Sequence, residues 1–247
     1  MNHLVISHRG YFDNVEIIEN TIPAFVNNII DGIELDVQMT CDGIVVCYHD
    51  ESLNRLHNSD IIITRSDYEN LTPFSVDKFD DVLKHLSVHI TKPIIINCEI
   101  KIHDKFNNDT YINKLCMKVN DIIKKYSQLH ILVTSFSTKV ITIMKSLSIN
   151  STMIFHEYSN EIANFLEKYA DTKSIVFNKD IVNDKLIDIT DDTFNKLHIY
   201  LYTYFDNDKN NEKDVYIEHH DSIRYITNDP IETHKMICDK KIDSNIK

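Results

Sequence analysis

The sequence predicts an α/β fold: a single (β/α)8 barrel over residues 1–247, with one extra antiparallel hairpin strand after the second barrel strand. The main observation is a series of nine short apolar runs of strand character, most of them separated by amphipathic stretches long enough for a helix. These runs begin at Leu4, Ile33, Ile44, Pro93, His130, Thr152, Ser174, His198 and Arg224.

The second observation concerns the short connection between the second and third runs. It contains Asp42-Gly43, a hairpin signal, so the third run is expected to return antiparallel to the second. Without that run, eight strands alternate with helices over 247 residues, which is the usual size of a closed barrel. An open doubly wound sheet is the alternative, but no GxGxxG motif opens any of the helices.

The stretch from Glu51 to Val76 is polar and has no clear helical period. We expect a long excursion on the side of the barrel where the strands end, because loops of this length usually cover or shape a site.

Composition limits the possible partners. The net charge is −12 without a Lys/Arg cluster, which argues against nucleic acid and anionic membrane surfaces as partners. The chain opens without a basic segment followed by a long apolar one, and no apolar run reaches membrane-spanning length. We therefore expect a cytoplasmic protein without stable membrane association; the sequence leaves its oligomeric state open.

Two carboxylates in the second run indicate a cation site. Residues two apart in a strand share a face, so Glu34 and Asp36 project together, about 7 Å apart, as suits a hard divalent cation. The same parity groups Glu99 with Lys101 in a later strand. Because the carboxyl ends of barrel strands converge, Glu99 can complete the carboxylate set while Lys101 meets an anion.

Two histidines and an arginine are expected beside these carboxylates. His8 ends the first strand, and Arg9 follows it as a possible fork for two phosphate oxygens. A turn centred between Cys41 and Asp42 would set His49 opposite Glu34. Each residue alone has an ordinary structural explanation, but together they favour metal-assisted cleavage of a phosphodiester.

Five segments carry a resemblance to a known family. HRG from His8, ENTIPAF from Glu19, DGIELDVQMTCDGIVVCYHDESLNR from Asp31, CEIK from Cys98 and VTSF from Val133 resemble the glycerophosphodiester phosphodiesterase family in order and spacing. The likeness is dense over residues 7–55, recognisable to residue 136 and weak beyond. It implies a TIM barrel enzyme that hydrolyses glycerophosphodiesters to sn-glycerol 3-phosphate and an alcohol such as choline, ethanolamine or inositol.

The resemblance also implies roles for particular residues. One divalent cation, Ca²⁺ or Mg²⁺, would be held by Glu34, Asp36 and Glu99. His8 and His49 would act as general acid and base, in an order that the sequence leaves open. Arg9 and Lys101 would hold the phosphate, and Glu19 matches a position close to the site as possible support.

The C-terminal third departs from the family pattern. Tyr204 stands where the family has a tryptophan, and we expect it to form an aromatic wall for the substrate together with Phe136. Asn228 replaces an aspartate before the last proline.

Two other functions remain as alternatives. A lysophospholipase D-like enzyme would be favoured by an apolar groove in residues 51–76, but that stretch is polar. A catalytically silent barrel that binds phosphorylated ligands would have lost a histidine or a metal carboxylate, and none is lost.

Overall fold

A computed structural model describes residues 3–27, 29–103, 108–183, 193–204 and 223–245, with side chains described to residue 202 in the eighth strand and to residue 239 in the last helix. The strands are β1 (Leu4–Ser7), β2 (Gly32–Met39), β3 (Val45–Cys47), β4 (Ile95–Ile100), β5 (His130–Ser135), β6 (Ser151–Phe155), β7 (Ser174–Asn178), β8 (His198–Tyr204) and β9 (Ile223–Thr227). The helices are α1 (Ile22–Val26), α2 (Asn54–His57), α3 (Phe79–His89), α4 (Asp109–Lys125), α5 (Thr138–Ser146), α6 (Asn160–Lys168), α7 (Lys179–Asn183) and α8 (Pro230–Asn245). No helix in these ranges has both the length and the apolar character needed to cross a membrane.

Eight parallel strands close into a ring. Strand β1 pairs with β2 on one side and with β9 on the other, and the remaining neighbours follow in the order β9, β8, β7, β6, β5, β4, β2. Strand β3 pairs antiparallel with β2 and lies outside the ring. The predicted TIM barrel with one extra hairpin strand is confirmed.

Two apolar layers stabilise the barrel. The barrel interior is filled by Ile6, Leu132, Ile154, Val176, Tyr200 and Ile226. A larger cluster packs between the strands and the surrounding helices, and in β2 it receives Ile33, Leu35 and Val37. The intervening carboxylates Glu34 and Asp36 therefore project to the inner face of the ring, as the alternation of a strand requires.

The hairpin between β2 and β3 has a different register from the expected one. The paired residues are Val37 with Cys47, Gln38 with Val46 and Met39 with Val45. The expected register, with His49 opposite Glu34, is therefore wrong by one residue. Because β3 ends at Cys47, His49 lies beyond the paired ladder.

The physical reason is a longer turn than the sequence interpretation assumed. The Thr40 N–H donates to the Ile44 carbonyl over 2.9 Å, which leaves three residues in the loop. The last of them, Gly43, has φ +85°, a left-handed conformation that suits glycine. A three-residue loop of this kind moves the pairing by one position.

The excursion after β3 is compact rather than irregular. It contains α2 and two 3₁₀ helices, at Ile63–Arg65 and Tyr68–Phe74. Its apolar side chains form a separate cluster of Val46, Tyr48, Leu53, Ile63, Leu71 and Val76. At its base, Val46 bridges to Lys78, and the Cys47 N–H donates to the Asp77 carbonyl over 2.9 Å. The two ends of the excursion therefore lie side by side.

Two glycines with positive φ provide a matched stability test. A Cβ on Gly10 would lie 2.6 Å from the carbonyl carbon of Ala24, whereas a Cβ on Gly43 would first meet the flexible Lys114 Nζ at 3.2 Å. Both Gly→Ala changes incur the left-handed penalty of about 1–2 kcal/mol. We expect Gly10→Ala to cost about 2 kcal/mol more, because backbone must also move. Urea unfolding of both variants measures the difference, and equal losses would contradict the close approach.

Candidate active site

Three buried carboxylates meet at the mouth of the barrel. Glu34 and Asp36 come from β2 and Glu99 comes from β4, and one ligand oxygen from each lies within 4.8 Å of the others. The parallel register of β2 and β4 sets Asp36 directly beside Glu99. The sequence grouped these three residues by parity and by strand order, and the structure brings them together.

Arg9 and Lys101 surround the carboxylates with positive charge. Lys101 Nζ lies 2.6 Å from Glu99 Oε1 and 3.2 Å from Asp36 Oδ1. Arg9 Nε lies 3.5 Å from Asp36 Oδ2, and the Arg9 backbone N–H donates to Glu34 Oε2 over 2.9 Å. Three carboxylates thus face two fixed positive charges, so ionisation of all three would leave one negative charge for a further cation to balance.

The pKa values of the carboxylates reflect this crowding. Burial, followed by the charges of Asp36 and Glu99, raises the pKa of Glu34 well above its ordinary value. Burial also raises the pKa of Glu99. Burial alone would raise the pKa of Asp36 as well, but the positive charges around it, with Lys101 the largest contributor, together outweigh burial and the pKa is lowered.

The donor set fits a hard divalent ion. Oxygen ligands from carboxylates are those that Ca²⁺ and Mg²⁺ prefer. A bound dication would also offset the burial and repulsion that raise the pKa values of Glu34 and Glu99.

His8 enters the site from the end of β1. Its Nδ1 lies 2.6 Å from Asn228 Oδ1, and its Nε2 lies 3.9 Å from Glu34 Oε2. Burial and the charge of Arg9 lower the pKa of His8 to about 4. The ring is therefore neutral near pH 7: Nδ1–H donates to the Asn228 amide oxygen, and the lone pair of Nε2 faces the carboxylates.

His49 enters from the connection between β3 and α2. Its Nδ1 lies 2.6 Å from Asp50 Oδ1, and the other Asp50 oxygen accepts a hydrogen bond of 2.6 Å from Arg55 Nε. Burial would raise the pKa of Asp50, but its hydrogen bonds with His49 and Arg55 lower it instead. Asp50 therefore stays ionised and fixes the orientation of the imidazole.

Glu19 joins the two sides of the site. Its carboxylate accepts a 2.9 Å hydrogen bond from Arg9 Nη1 and two from Arg55, of 2.9 and 2.6 Å. Burial opposes ionisation of Glu19, yet Arg55 and Arg9 lower its pKa. Glu19 thus lies outside the carboxylate trio and supports it through Arg9.

Phe136 and Tyr202 form the aromatic wall of the cavity. Phe136 is 47% exposed, and its ring centroid lies 5.9 Å from Lys101 Nζ and 6.2 Å from the ring of Tyr202. The side chain of Tyr204 lies outside the described residues. Among the side chains of β8 that the structure describes, Tyr202 is the aromatic residue that lines the cavity.

Several residues that contact the site carried no role in the sequence interpretation. Asn20 donates from Nδ2 to Asp36 Oδ2 over 2.8 Å and accepts the Asp36 N–H over 2.9 Å. It sits with φ +58° directly after Glu19, inside a segment that resembles the family. Asp50 and Arg55 lie in a second such segment, so the family resemblance could have indicated that these residues belong to the site. His156 gave no sequence signal.

A family model for the glycerophosphoryl diester phosphodiesterase family matches residues 8–232. A glycerophosphodiester phosphodiesterase from Caldanaerobacter subterraneus subsp. tengcongensis is 49% identical over 63 residues, which cover 24% of this chain and 25% of that protein. The chain thus aligns with about a quarter of this relative's length.

Solved structures match the fold over nearly the whole chain. A glycerophosphodiester phosphodiesterase from Thermotoga maritima has a TM-score of 0.73 at 23% identity, covering 95% of this chain and 98% of that one. An Oleispira antarctica phosphodiesterase in complex with the product sn-glycerol-3-phosphate has a TM-score of 0.72 at 18% identity, covering 95% and 96%. With a family model matched across this barrel and its cavity, the chain belongs to the glycerophosphoryl diester phosphodiesterase family.

Proposed function

We propose that the protein is a metal-dependent phosphodiesterase that hydrolyses glycerophosphodiesters to sn-glycerol 3-phosphate and an alcohol. The observation that carries this proposal is the convergence, at one barrel mouth, of three buried carboxylates, two cationic side chains and two oriented histidines. This combination provides a cation site, a phosphate site and two groups for proton transfer.

In the proposed reaction, Arg9 and Lys101 bind the phosphoryl oxygens and hold the diester over the carboxylates. His8 is the base, because its Nε2 carries a lone pair and its pKa is too low for it to hold a proton at neutral pH. It accepts a proton from the nucleophile, which is water or the 2-hydroxyl of the glycerol. Attack by the 2-hydroxyl expels the alcohol and forms a cyclic phosphodiester, which a water molecule must then open to give glycerol 3-phosphate.

His49 is the acid in this proposal. Asp50 holds its Nδ1 and offsets the positive charge of the ring, so the ring can deliver a proton to the leaving alcohol oxygen. The divalent ion, Ca²⁺ or Mg²⁺, would sit on Glu34, Asp36 and Glu99 and supply neutralisation of the charge on the phosphoryl group.

Two observations favour a small, polar substrate. The Oleispira antarctica relative was solved with sn-glycerol-3-phosphate, which supports a small polar product here. The apolar side chains of the excursion, including Leu53, Ile63 and Leu71, are buried within its own cluster. This arrangement favours a water-soluble diester over the lysophospholipid of the alternative function.

The proposal is tested by incubating the purified protein with glycerophosphocholine, glycerophosphoethanolamine and glycerophosphoinositol, each with Ca²⁺, Mg²⁺ or EDTA. We expect release of glycerol 3-phosphate that depends on the metal. Metal binding without release from any of the three would instead support the silent phosphate-binding barrel.

Removal of either histidine should abolish turnover without unfolding the protein. We expect His8→Ala and His49→Ala each to lower kcat by about 10²–10⁴, the usual contribution of a proton-transfer group. His89→Ala is the matched control, because His89 is exposed on α3, away from the cavity. Wild-type rates in His49→Ala, with unchanged circular dichroism, would overturn the assignment.

Metal binding should release protons. Because the pKa values of Glu34 and Glu99 are raised and only ionised carboxylates bind the ion, affinity should fall as the pH drops through those raised pKa values. Calorimetric titration with Ca²⁺ or Mg²⁺ in two buffers of different ionisation enthalpy counts the protons.

The control for that titration is Glu34→Gln, which removes one ionisable ligand and should bind the ion more weakly with less proton release. Proton release that is unchanged in the variant would contradict the role of Glu34.

A further inference from the structure

The cavity has a polar group on the side away from Glu34 and Asp36. His156 follows β6, Asn178 ends β7 and Tyr202 lies in β8, so three successive strands of the ring carry them. His156 and Tyr202 line the same cavity as His8, His49 and Lys101. None of the roles proposed above uses this group.

A chain of hydrogen bonds with one direction connects these residues. The Asp180 N–H donates to Asn178 Oδ1 over 3.0 Å, which fixes the orientation of the Asn178 amide. Its Nδ2 therefore points the other way, donating to the Tyr202 hydroxyl and lying 3.4 Å from His156 Nδ1. The oxygen of the Tyr202 hydroxyl lies 2.7 Å from His156 Nδ1.

This chain assigns the tautomer of His156. An amide NH₂ can only donate, so the atom that faces both it and the tyrosine hydroxyl must be an acceptor. With Nδ1 unprotonated, the hydrogen of the neutral imidazole is on Nε2. His156 Nε2 has no hydrogen-bond partner among the residues that the structure describes, so its N–H is available to a bound molecule.

The surroundings determine which chemical group this donor suits. Phe136 packs edge-on against Tyr202 and offers an apolar face to carbon atoms. After burial, the charge of Glu99 helps to raise the pKa of Tyr202, and Glu99 is already paired with Lys101 at 2.6 Å. The N–H of His156 needs an acceptor, which the oxygen of a hydroxyl provides and an ammonium group does not.

We propose that His156, held as the Nε2–H tautomer by Tyr202 and Asn178, is a specificity residue that donates a hydrogen bond to a hydroxyl of the diester substrate. This inference rests on the proposed phosphodiesterase function. The hydroxyl belongs to the glycerol arm or to a polyol alcohol arm, and the two sources share the same chemistry.

The test combines a side-chain change with a matching change in the substrate. For the glycerol arm, kcat/KM is measured with glycerophosphocholine and with its analogue built on propane-1,2-diol, which lacks the terminal hydroxyl but keeps the 2-hydroxyl. For the alcohol arm, glycerophosphoinositol is compared with glycerophosphoethanolamine. The enzymes are wild type, His156→Phe and His156→Gln, all with the same divalent metal.

In the wild type we expect loss of the recognised hydroxyl to lower kcat/KM about threefold to tenfold, as for one neutral hydrogen bond. In His156→Phe, that difference should disappear for one of the two substrate pairs. The variant has already lost the hydrogen bond, so removing the hydroxyl from the substrate costs nothing further. His156→Gln keeps an N–H near the Nε2 position and should restore part of the difference. The substrate pair whose difference disappears in His156→Phe identifies whether His156 contacts the glycerol arm or the alcohol arm.

A structural role alone gives a different pattern. Bis(4-nitrophenyl) phosphate has no hydroxyl, so its turnover should be equal in all three enzymes, which shows that the barrel is intact. If His156→Phe lowers kcat/KM by the same factor for both members of each pair, the inference is overturned while the proposed function stands. If the wild type cleaves no glycerophosphodiester, the proposed function fails and this inference fails with it.

Discussion

The repulsion among Glu34, Asp36 and Glu99 is the constraint on which the rest of the site depends. Carboxylates this close in a buried position cannot all ionise unless positive charge is placed beside them. Lys101 and Arg9 supply it from the ends of neighbouring segments, and Asn20 holds Asp36 by two hydrogen bonds. The negative charge that Lys101 and Arg9 leave unbalanced is the charge that the proposed dication would neutralise.

Backbone strain accompanies this charge arrangement. Arg9 has φ +56°, a conformation that non-glycine residues adopt at some cost. It lets the Arg9 N–H reach Glu34 while the guanidinium reaches Glu19. The adjacent Gly10 fits against the backbone of Ala24, where a side chain would not. An unfavourable backbone conformation is therefore found where the charged groups come together.

The sequence predicted the barrel and the carboxylate trio well because both depend on periodicity. Strand alternation groups Glu34 with Asp36, and parallel order then brings Glu99 beside them. The hairpin register was wrong because turn length depends on the conformation of Gly43, which pattern alone does not give. The contact of His8 with Asn228 joins positions 220 residues apart, and only closure of the ring creates it. The hydrogen-bond chain through His156 likewise depends on three strands meeting.

The adjacent ends of the excursion have an evolutionary consequence. Since Val46 bridges to Lys78 at its base, the whole segment leaves and rejoins the barrel at one point without interrupting the ring of parallel strands. Such a segment can be lengthened, shortened or exchanged while strand closure is preserved. In the proposed mechanism, only three residues at its start would have to be kept: His49 and Asp50 just before it, and Arg55 for Glu19. Related proteins could therefore differ in the segment beside the cavity, and so in the substrates they accept, while the barrel strands and the carboxylate site stay the same.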